Sequence, residues 1–556
     1  MVDTSGRPAR KGHVGPPPTR TGGRGPARRP VDDDEFDGFD KLWRWFVRRA
    51  APPTGDAEAD AAAWWVRYLR RPTAGPVTAL VAMVGLYVAV FGTLTWSQQS
   101  NYGTFGYDMG IYDQGIWLLS RFKDPFVTIR GLEFFAHHVN LIALAIVPVY
   151  WLGGGPHALY LIETVAMALG AVPLWLLARD RLENAWLALG IPAAYLLYPS
   201  LEWINEWHFH PDALIITPLL FAYWLATRRL WRWYWVALIA TLACKEDAAL
   251  AVFALGLVVW LRYHRRGQGI VTAAVGAAWF LICTKAIIPL ANGGKDPFYA
   301  ALFPGLGNSM GSIAFNMVVH PSRWLVPALS RTRWTYYAQL FWPVALVALL
   351  DLGGLAIAGP QLLVNVVSGQ GYTHNIHFHY SAIVVAGVFL AVTEACARRG
   401  KTMAGRRFLI GLVVASSLAA NVAWSPSPID VKFHNGFWAK PVAKHKAINA
   451  ALKLIPGGGS VAASYTIDDH LTHRVLIYEW PNPWIVSNWA TGNTDNPPDP
   501  ARVDWIVLDT SLNGNTTPLF QALVASEFSV IFNSQGIVVA HRVRPGSPQD
   551  HTWPKS

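Results

Sequence analysis

GPVTALVAMVGLYVAVFGTLTW, residues 75–96, is an apolar run without a charged side chain. Its length approaches the ~20 residues that an α-helix needs to cross the hydrocarbon core of a bilayer. The basic stretch WVRYLRRP precedes it at 65–72, and basic flanks stay on the cytoplasmic side of a membrane. The run therefore predicts a first transmembrane helix that emerges near Trp96 on the extracytoplasmic side.

The composition of the whole chain agrees with a membrane protein. Of its 556 residues, 52% are hydrophobic and only 15% are charged, whereas soluble proteins carry roughly 25% charged residues. The net charge of +11 lies largely in the N-terminal tail and in short loops, where membrane topology explains it, so it does not indicate nucleic-acid binding. The three cysteines fall in or at the end of apolar runs, which predicts neither a disulfide framework nor a Cys/His metal site.

The charged turns between the apolar runs predict on which side of the membrane each loop lies. The short run 141–152, bounded by GGGP, predicts a helix at the outer interface, and the polar stretch 291–336 predicts an outer loop. About eleven spans follow, with the N-terminus inside and the C-terminus outside. They are 75–96, 159–178, 185–201, 213–226, two helices within 233–266, 270–290, a pair within 337–368, 381–397 and 408–424.

Three regions are predicted from the change in composition. Residues 1–73, rich in Pro, Gly, Arg and Asp, are predicted to be a disordered cytoplasmic tail. Residues 74–424 form the transmembrane domain, and 425–556 alternate strand-like runs with a predicted helix at 440–455. The predicted fold is an all-α polytopic membrane protein with a C-terminal extracytoplasmic α/β domain. Its predicted strands lie in 459–467, 474–480, 504–510 and 528–543.

The predicted topology places nearly every unusual polar cluster on the outer side of the membrane. Ionisable residues near a bilayer are costly unless they pair or line a wet cavity, so they indicate function. A shared outer cavity accommodates them, with Asp108 as the candidate catalytic residue and the others as candidates for substrate binding. These others are Asp113, His137, Glu206, His208, His210, Asp212, Lys245, Glu246, Asp247, His377, His379 and Tyr380.

Each cluster also has an ordinary explanation. Asp108, Asp113 and the HHVN stretch (137–140) precede apolar helices, where polar residues commonly cap the helix. His208 and His210 can simply be interfacial residues, and their spacing beside acids is compatible with a metal but is not specific for one. Within KED, 245–247, the lysine and one acid can simply neutralise each other. No cofactor is predicted with certainty, and a divalent metal is left open.

The order of these motifs resembles the bacterial polytopic membrane family DUF2079, a domain of unknown function. The resemblance runs from about residue 80 to 395 and extends to the strand-rich tail. One departure is that the family pattern has HFSP where this chain has HHVN, so His137 matches and His138 does not. The motifs are YDMGIYDQGIW (107–117), HHVN (137–140), LGAVPLWLLAR (169–179), AYLLYPSL and FHPD (194–212), CKEDAAL (244–250) and SYTIDDHLTHRVLIYEWP (464–481).

DUF2079 in turn resembles, more distantly, the GT-C glycosyltransferases, including the protein O-mannosyltransferases. This resemblance implies a first span followed by an outer loop with an essential acid, which Asp108 matches. His137 matches a His-containing segment before an interfacial helix, and Asp212 or Glu206 matches an acid of a second outer loop. It also implies a polyprenyl-phosphate-linked sugar as donor.

The resulting prediction is a glycosyltransferase of the bacterial plasma membrane. It would transfer a sugar from a polyprenyl-phosphate donor to a cell-envelope glycan or protein on the extracytoplasmic side, with inversion at the anomeric carbon. A lipid or solute transporter or flippase is one alternative, although its charges would be expected at mid-membrane. A non-catalytic protein of envelope assembly is the other.

Overall fold

The computed structural model describes residues 73–295, 297–490 and 498–544. The predicted disordered tail therefore lies, apart from Thr73, outside the described residues.

The chain from Ala74 to Trp424 is mainly helical. Its first helices are α1 (Ala74–Ser100), α2 (Ile111–Ser120), α3 (Phe134–His137), α4 (Ala143–Trp151), α5 (Pro156–Leu169), α6 (Ala171–Leu182), α7 (Gly190–Leu196), α8 (Pro199–Glu206), α9 (Pro211–Thr227) and α10 (Trp231–Cys244). The next are α11 (Ala248–Leu261), α12 (Arg266–Ile282), α13 (Ile288–Ala291), α14 (Met310–Val319), α15 (Ser322–Ala328), α16 (Arg331–Phe341), α17 (Leu352–Val367), α18 (Ala382–Arg399) and α19 (Met403–Trp424).

Several of these helices are long and apolar enough to cross a membrane. Within the described ranges there are five, or six if the bent pair Leu187–Leu196 and Pro199–Glu206 forms one span. The five are Ala74–Ser100, Pro156–Leu182, Arg266–Ala291, His379–Arg399 and Met403–Trp424. Among the shorter apolar helices of the described ranges, Pro211–Thr227, Ala248–Leu261 and Leu352–Val367 fall on predicted spans, whereas Met310–Val319 lies in the predicted outer loop. The total of eleven spans stays a prediction.

The helices differ in how much of their surface the protein itself covers. On α1, Val81 and Leu86 are 64% and 65% exposed, as expected for side chains solvated by lipid. On α18 every residue from Ala382 to Cys396 is buried. The helix α18 therefore lies at the centre of the bundle, and α1 lies at its edge.

Two predicted segments differ from the structure. The first half of 337–368 was expected to be a span, but α16 ends at Phe341 and Pro343 follows. Ala345 and Leu346 then have φ values of 51° and 59°, which end a right-handed helix. The predicted outer loop 291–336 is instead largely helical.

The sheet lies in the C-terminal region, as the strand-like runs predicted. The helix α20 (Ala443–Leu452) coincides with the predicted helix, whereas α21 (Thr517–Ser526) was not anticipated. The strands are β3 (Val461–Ala463), β4 (Ile477–Glu479), β5 (Trp505–Asp509), β6 (Phe528–Ser534) and β7 (Ile537–Arg542), after a small hairpin of β1 (Phe126–Val127) and β2 (Leu132–Glu133). The strand order of the sheet is β4-β3-β5-β7-β6, in which β3 pairs in parallel with β4 and β5, and β7 pairs antiparallel with β5 and β6.

The C-terminal region packs onto the segment that follows α1. Asp469 is fully buried and accepts hydrogen bonds from Gln99 Nε2 at 2.9 Å and Thr104 Oγ1 at 2.5 Å. The Gly106 amide donates to the carbonyl of Tyr465 at 2.9 Å. These bonds hold the segment after α1 against the sheet region. The domain boundary at residue 424 stays a prediction.

Candidate active site

The turn that carries Asp108 is built by the end of α1 and by the C-terminal region together. Phe105 is extended, and Gly106–Gly110 then form a π-helical turn that leads into α2. A Cβ at Gly106 would collide with the carboxylate of Asp468, so only glycine permits this approach. The turn therefore fixes Asp108 by packing on both sides.

Asp108 faces a cavity of about 670 Å³. Its lining combines polar side chains, which we call the polar wall, with apolar side chains, which we call the apolar wall, and this mixture suits a ligand with a polar group and a hydrocarbon portion. The polar wall includes Tyr107, Asp108, Arg130, His137, His138, His210, Lys245, Glu246, Asp247, Tyr299, His379 and Tyr380. The apolar wall includes Phe280, Phe298, Phe303, Met310, Ile313, Met317, Leu363, Val364 and Val367.

His210 is the histidine nearest to Asp108 among their described contacts. Its Nε2 lies 3.7 Å from Asp108 Oδ1, and its Nδ1 donates to the carbonyl of His208 at 2.8 Å. The ring of His379 stacks on it, with 3.6 Å between ring centroids. Because Nδ1 already donates its proton to a carbonyl, Nε2 is the nitrogen directed at the carboxylate.

The electrostatic surroundings keep Asp108 ionised. Burial opposes the charged form, but interaction with His210 and the attraction of His208 outweigh it, so the pKa of Asp108 lies below its usual value. Burial lowers the pKa of His208 to about 4 despite the pull of Asp108. Burial, with His138 and Arg130 adding to it, also holds the pKa of His137 well below its usual value. At neutral pH Asp108 is therefore a carboxylate beside neutral imidazoles His137 and His208.

The KED segment connects α10 and α11 at the polar wall. Lys245 Nζ lies 2.8 Å from Asp212 Oδ1 and 3.6 Å from Asp247 Oδ2. The same Nζ lies 5.7 Å from the ring centroid of Tyr380. Two carboxylates therefore balance the lysine charge before any ligand enters.

Glu246 organises a separate group in the same wall. It accepts from His138 Nδ1 at 2.8 Å, from the Val139 amide at 2.9 Å and from the Tyr299 hydroxyl. His138 departs from the family motif and was not predicted to bind substrate. Tyr299 was also missed, because it lies in the segment predicted to be a polar loop.

Arg130 contributes a cation whose hydrogen-bonding capacity is only partly used. Its Nη1 donates to the carbonyl of Asn488 at 2.5 Å, and its guanidinium lies 5.3 Å from the ring centroid of Tyr107. Its Nε is buried without a hydrogen-bond partner among the described residues. Of the two cations discussed so far, Arg130 thus has the greater capacity to bind an anion.

Five predicted site residues do not line the cavity: Asp113, Glu206, His208, Asp212 and His377. Asp113 is completely buried and accepts from Tyr150 Oη at 2.5 Å and from Thr472. His377 stacks on Trp203, with 3.7 Å between centroids.

The other residues outside the cavity support its wall. His208 packs edge-on against Phe105, Asp212 lies behind Lys245, and Glu206 ends α8. No group of three or more His, Cys, Asp or Glu side chains in the described ranges is arranged to hold a metal ion.

Comparisons with known proteins agree with both predicted resemblances. The family described as "Predicted membrane protein (DUF2079)" matches residues 101–539. No curated protein matches the chain. The fold is similar to the crystal structure of ArnT from Cupriavidus metallidurans bound to undecaprenyl phosphate, at 13% identity and a TM-score of 0.50 over 85% of this chain and 99% of that one. The apo state of ArnT gives 14% identity and a TM-score of 0.45 over 86% and 98%. At 13% identity, the likeness to the ArnT structure shows a similar fold.

Proposed function

The chain belongs to the DUF2079 family of predicted membrane proteins, and we propose that it is a glycosyltransferase that uses a polyprenyl-phosphate-linked sugar. Its acceptor is a glycan or protein of the bacterial cell envelope. The cavity opens on the extracytoplasmic side of the plasma membrane, with the N-terminus in the cytoplasm and the sheet region outside.

The observation that carries the proposal is the combination of polar and apolar side chains that line the cavity at Asp108. Its apolar wall offers aromatic and methionine side chains to a hydrocarbon chain, and its polar wall offers cations and acidic side chains. A polyprenyl-phosphate sugar has the same division, with a long apolar tail and a charged head. The ArnT structure of similar fold holds undecaprenyl phosphate, which is a ligand of this class.

Arg130 is the proposed ligand of the donor phosphate. Arginine binds phosphate through two parallel N–H donors, and Arg130 lines the cavity with one hydrogen bond from its guanidinium, from Nη1 to the carbonyl of Asn488, among the described residues. Lys245 is the weaker candidate because Asp212 and Asp247 already balance its charge. As the phosphate leaves, Arg130 stabilises the negative charge that develops on its oxygen.

Asp108 is the proposed general base. The acceptor hydroxyl oxygen attacks the anomeric carbon, its proton passes to the Asp108 carboxylate, and the bond between that carbon and the phosphate oxygen breaks. The electron pair leaves with the polyprenyl phosphate. A single displacement of this kind inverts the anomeric configuration. His210 holds the carboxylate in place, and the KED residues with Tyr380 shape the sugar subsite.

The Asp108→Asn variant tests the proposal. In a strain that lacks the gene, the wild-type copy should restore the envelope glycan profile, and D108N should leave the polyprenyl-phosphate sugar to accumulate. The rate of transfer should fall by about 10²–10⁴-fold, as for loss of a general base.

The matched control is Asp124→Asn, an exposed acid of the same outer loop that does not line the cavity. It should restore the profile fully, and the thermal unfolding of purified D108N should match that of the wild type. Full restoration by D108N would overturn the enzyme proposal and leave a transporter or an assembly protein.

A further inference from the structure

A second cavity lies between α2 and the C-terminal sheet region. Its volume is about 700 Å³, and it shares no lining residue with the cavity of Asp108. The lining residues are Trp117, Lys123, Gly457, Gly458, Ser460, His473, Arg474, Val475, Leu476, Arg502 and Asp504. Trp117 follows Asp108 by nine positions, a rise of roughly 13 Å along a helix. Both cavities therefore border the segment 107–123 that follows α1.

The second cavity carries an excess of positive charge. Its lining holds three cations, Lys123, Arg474 and Arg502, and one carboxylate, that of Asp504. Arg474 is buried and donates to backbone carbonyls of the C-terminal region. Asp504 is already bound by Ser460, whose hydroxyl donates to it at 2.9 Å. Lys123 and Arg502 are exposed, and their side chains have no ion pair among the described residues. Both cations are thus available to an anionic ligand.

An aromatic surface and a fixed histidine lie beside these cations. The ring of His473 is nearly parallel to Trp117, with 5.9 Å between centroids and 16° between planes. His473 Nε2 lies 3.2 Å from Asp113 Oδ2, and Asp113 is held in turn by Tyr150 and Thr472. The buried acid therefore orients the half-exposed imidazole in the cavity wall.

This combination of groups indicates the class of ligand. Flat indole faces bind the apolar faces of ring-shaped ligands, and cations recognise carboxylates and phosphates. The loop Gly457–Gly458 leaves open space where side chains would otherwise stand. We propose that the second cavity binds an acidic saccharide, which bears carboxylate or phosphate groups. That this saccharide is the acceptor of sugar transfer rests on the proposed function, but its binding does not.

The test measures binding to the purified full-length protein in detergent, without any sugar donor. Isothermal titration compares an oligogalacturonate, a phosphorylated oligosaccharide, a neutral malto-oligosaccharide of the same length and inorganic phosphate. The double variant K123Q/R502Q should weaken binding of the acidic saccharide about tenfold, which corresponds to about 1.4 kcal/mol. The matched control K446Q/K453Q removes two exposed lysines of the same region that do not line the cavity.

The probes separate the sources of recognition. Binding of either acidic saccharide that K123Q/R502Q weakens and K446Q/K453Q leaves unchanged supports the proposal and shows which anionic group is preferred. Equal binding of the neutral saccharide, equal losses in both double variants, or binding of inorganic phosphate as tight as that of the saccharides would overturn it. D108N keeps this binding even if it abolishes transfer, so the two proposals fail separately.

Discussion

At the scale of single residues, Asp108 and Asp113 show how position on a helix decides the role of a side chain. Asp108 lies in the π-helical turn Gly106–Gly110, whereas Asp113 lies in the first turn of α2. Asp108 consequently lines the cavity, whereas Asp113 is buried against Tyr150 and Thr472. The sequence presents two acids in the same aromatic stretch, and only the packing of the C-terminal region distinguishes them.

Glu479 gives a prediction about pH at the same scale. Burial, with the charge of Asp108 adding to it and Arg130 opposing it, raises the pKa of Glu479 to about 7 from 4.5. The folded protein then binds this proton more tightly than the unfolded chain, so stability falls as the pH rises from 4.5 through 7. In E479Q this loss should disappear, a difference on the order of 2 kcal/mol.

Thermal unfolding of the purified protein at pH 5 and pH 8 measures this effect. The wild type should lose more stability than E479Q between the two values. Glu183→Gln, a change at an exposed position, serves as control and should behave as the wild type. Identical pH profiles for E479Q and the wild type would contradict the assigned pKa.

At the scale of elements, the close packing of α11 on α12 holds the KED segment, since α11 begins at the residue after Asp247. Glycine allows this approach, as in many membrane helix pairs. A Cβ at Gly276 would lie 2.7 Å from the carbonyl oxygen of Ala249 and from the amide nitrogen of Phe253. Backbone atoms cannot yield as flexible side chains do, so a larger residue must separate the helices.

Gly276→Val should therefore destabilise the protein by about 1–3 kcal/mol, the usual cost of overpacking. It should also reduce sugar transfer, because Lys245 and Glu246 move with α11. The matched control is Gly411→Val, at an exposed position with open space around its Cα. Thermal unfolding in detergent should distinguish the two variants, and equal stability would show that the helices do not pack as described.

At the scale of the whole molecule, the proposed topology places the two cavities on one side of the membrane and the far end of α18 on the other. The central helix α18 has His379, just before its start, in the cavity wall and runs to Arg399, after which Lys401 is exposed. Lys123 belongs to the second cavity. Lys123 and Lys401 are therefore expected on opposite sides of the membrane.

Cysteine labelling of intact cells checks this orientation. A membrane-impermeant maleimide should label K123C directly and K401C only after permeabilisation. The native cysteines Cys244, Cys283 and Cys396 are buried, so the wild type should stay unlabelled. Labelling of both variants in intact cells would contradict the proposed topology. Labelling of K401C alone would indicate the opposite orientation.

How much of the fold and of the candidate site the sequence predicts depends on how far apart along the chain the interacting residues lie. Apolar runs such as 75–96 predicted helices well, because insertion depends on local hydrophobicity. The segment 337–350 was predicted wrongly, since its apolar side chains fit a helix but Ala345 and Leu346 adopt positive φ values in the fold. Lys245 and Glu246 were assigned to the cavity because charges between apolar runs are visible in the sequence.

The sequence by itself determined a helical membrane protein with its acids and histidines grouped near helix ends, because hydrophobicity and charge act over a few neighbouring residues. Only the tertiary structure decided which of them line the cavity. Tyr299 and His138 reach Glu246, and Asp468 packs on Gly106, across separations of many residues. Such contacts depend on how helices and sheet pack in three dimensions, and no local pattern records them.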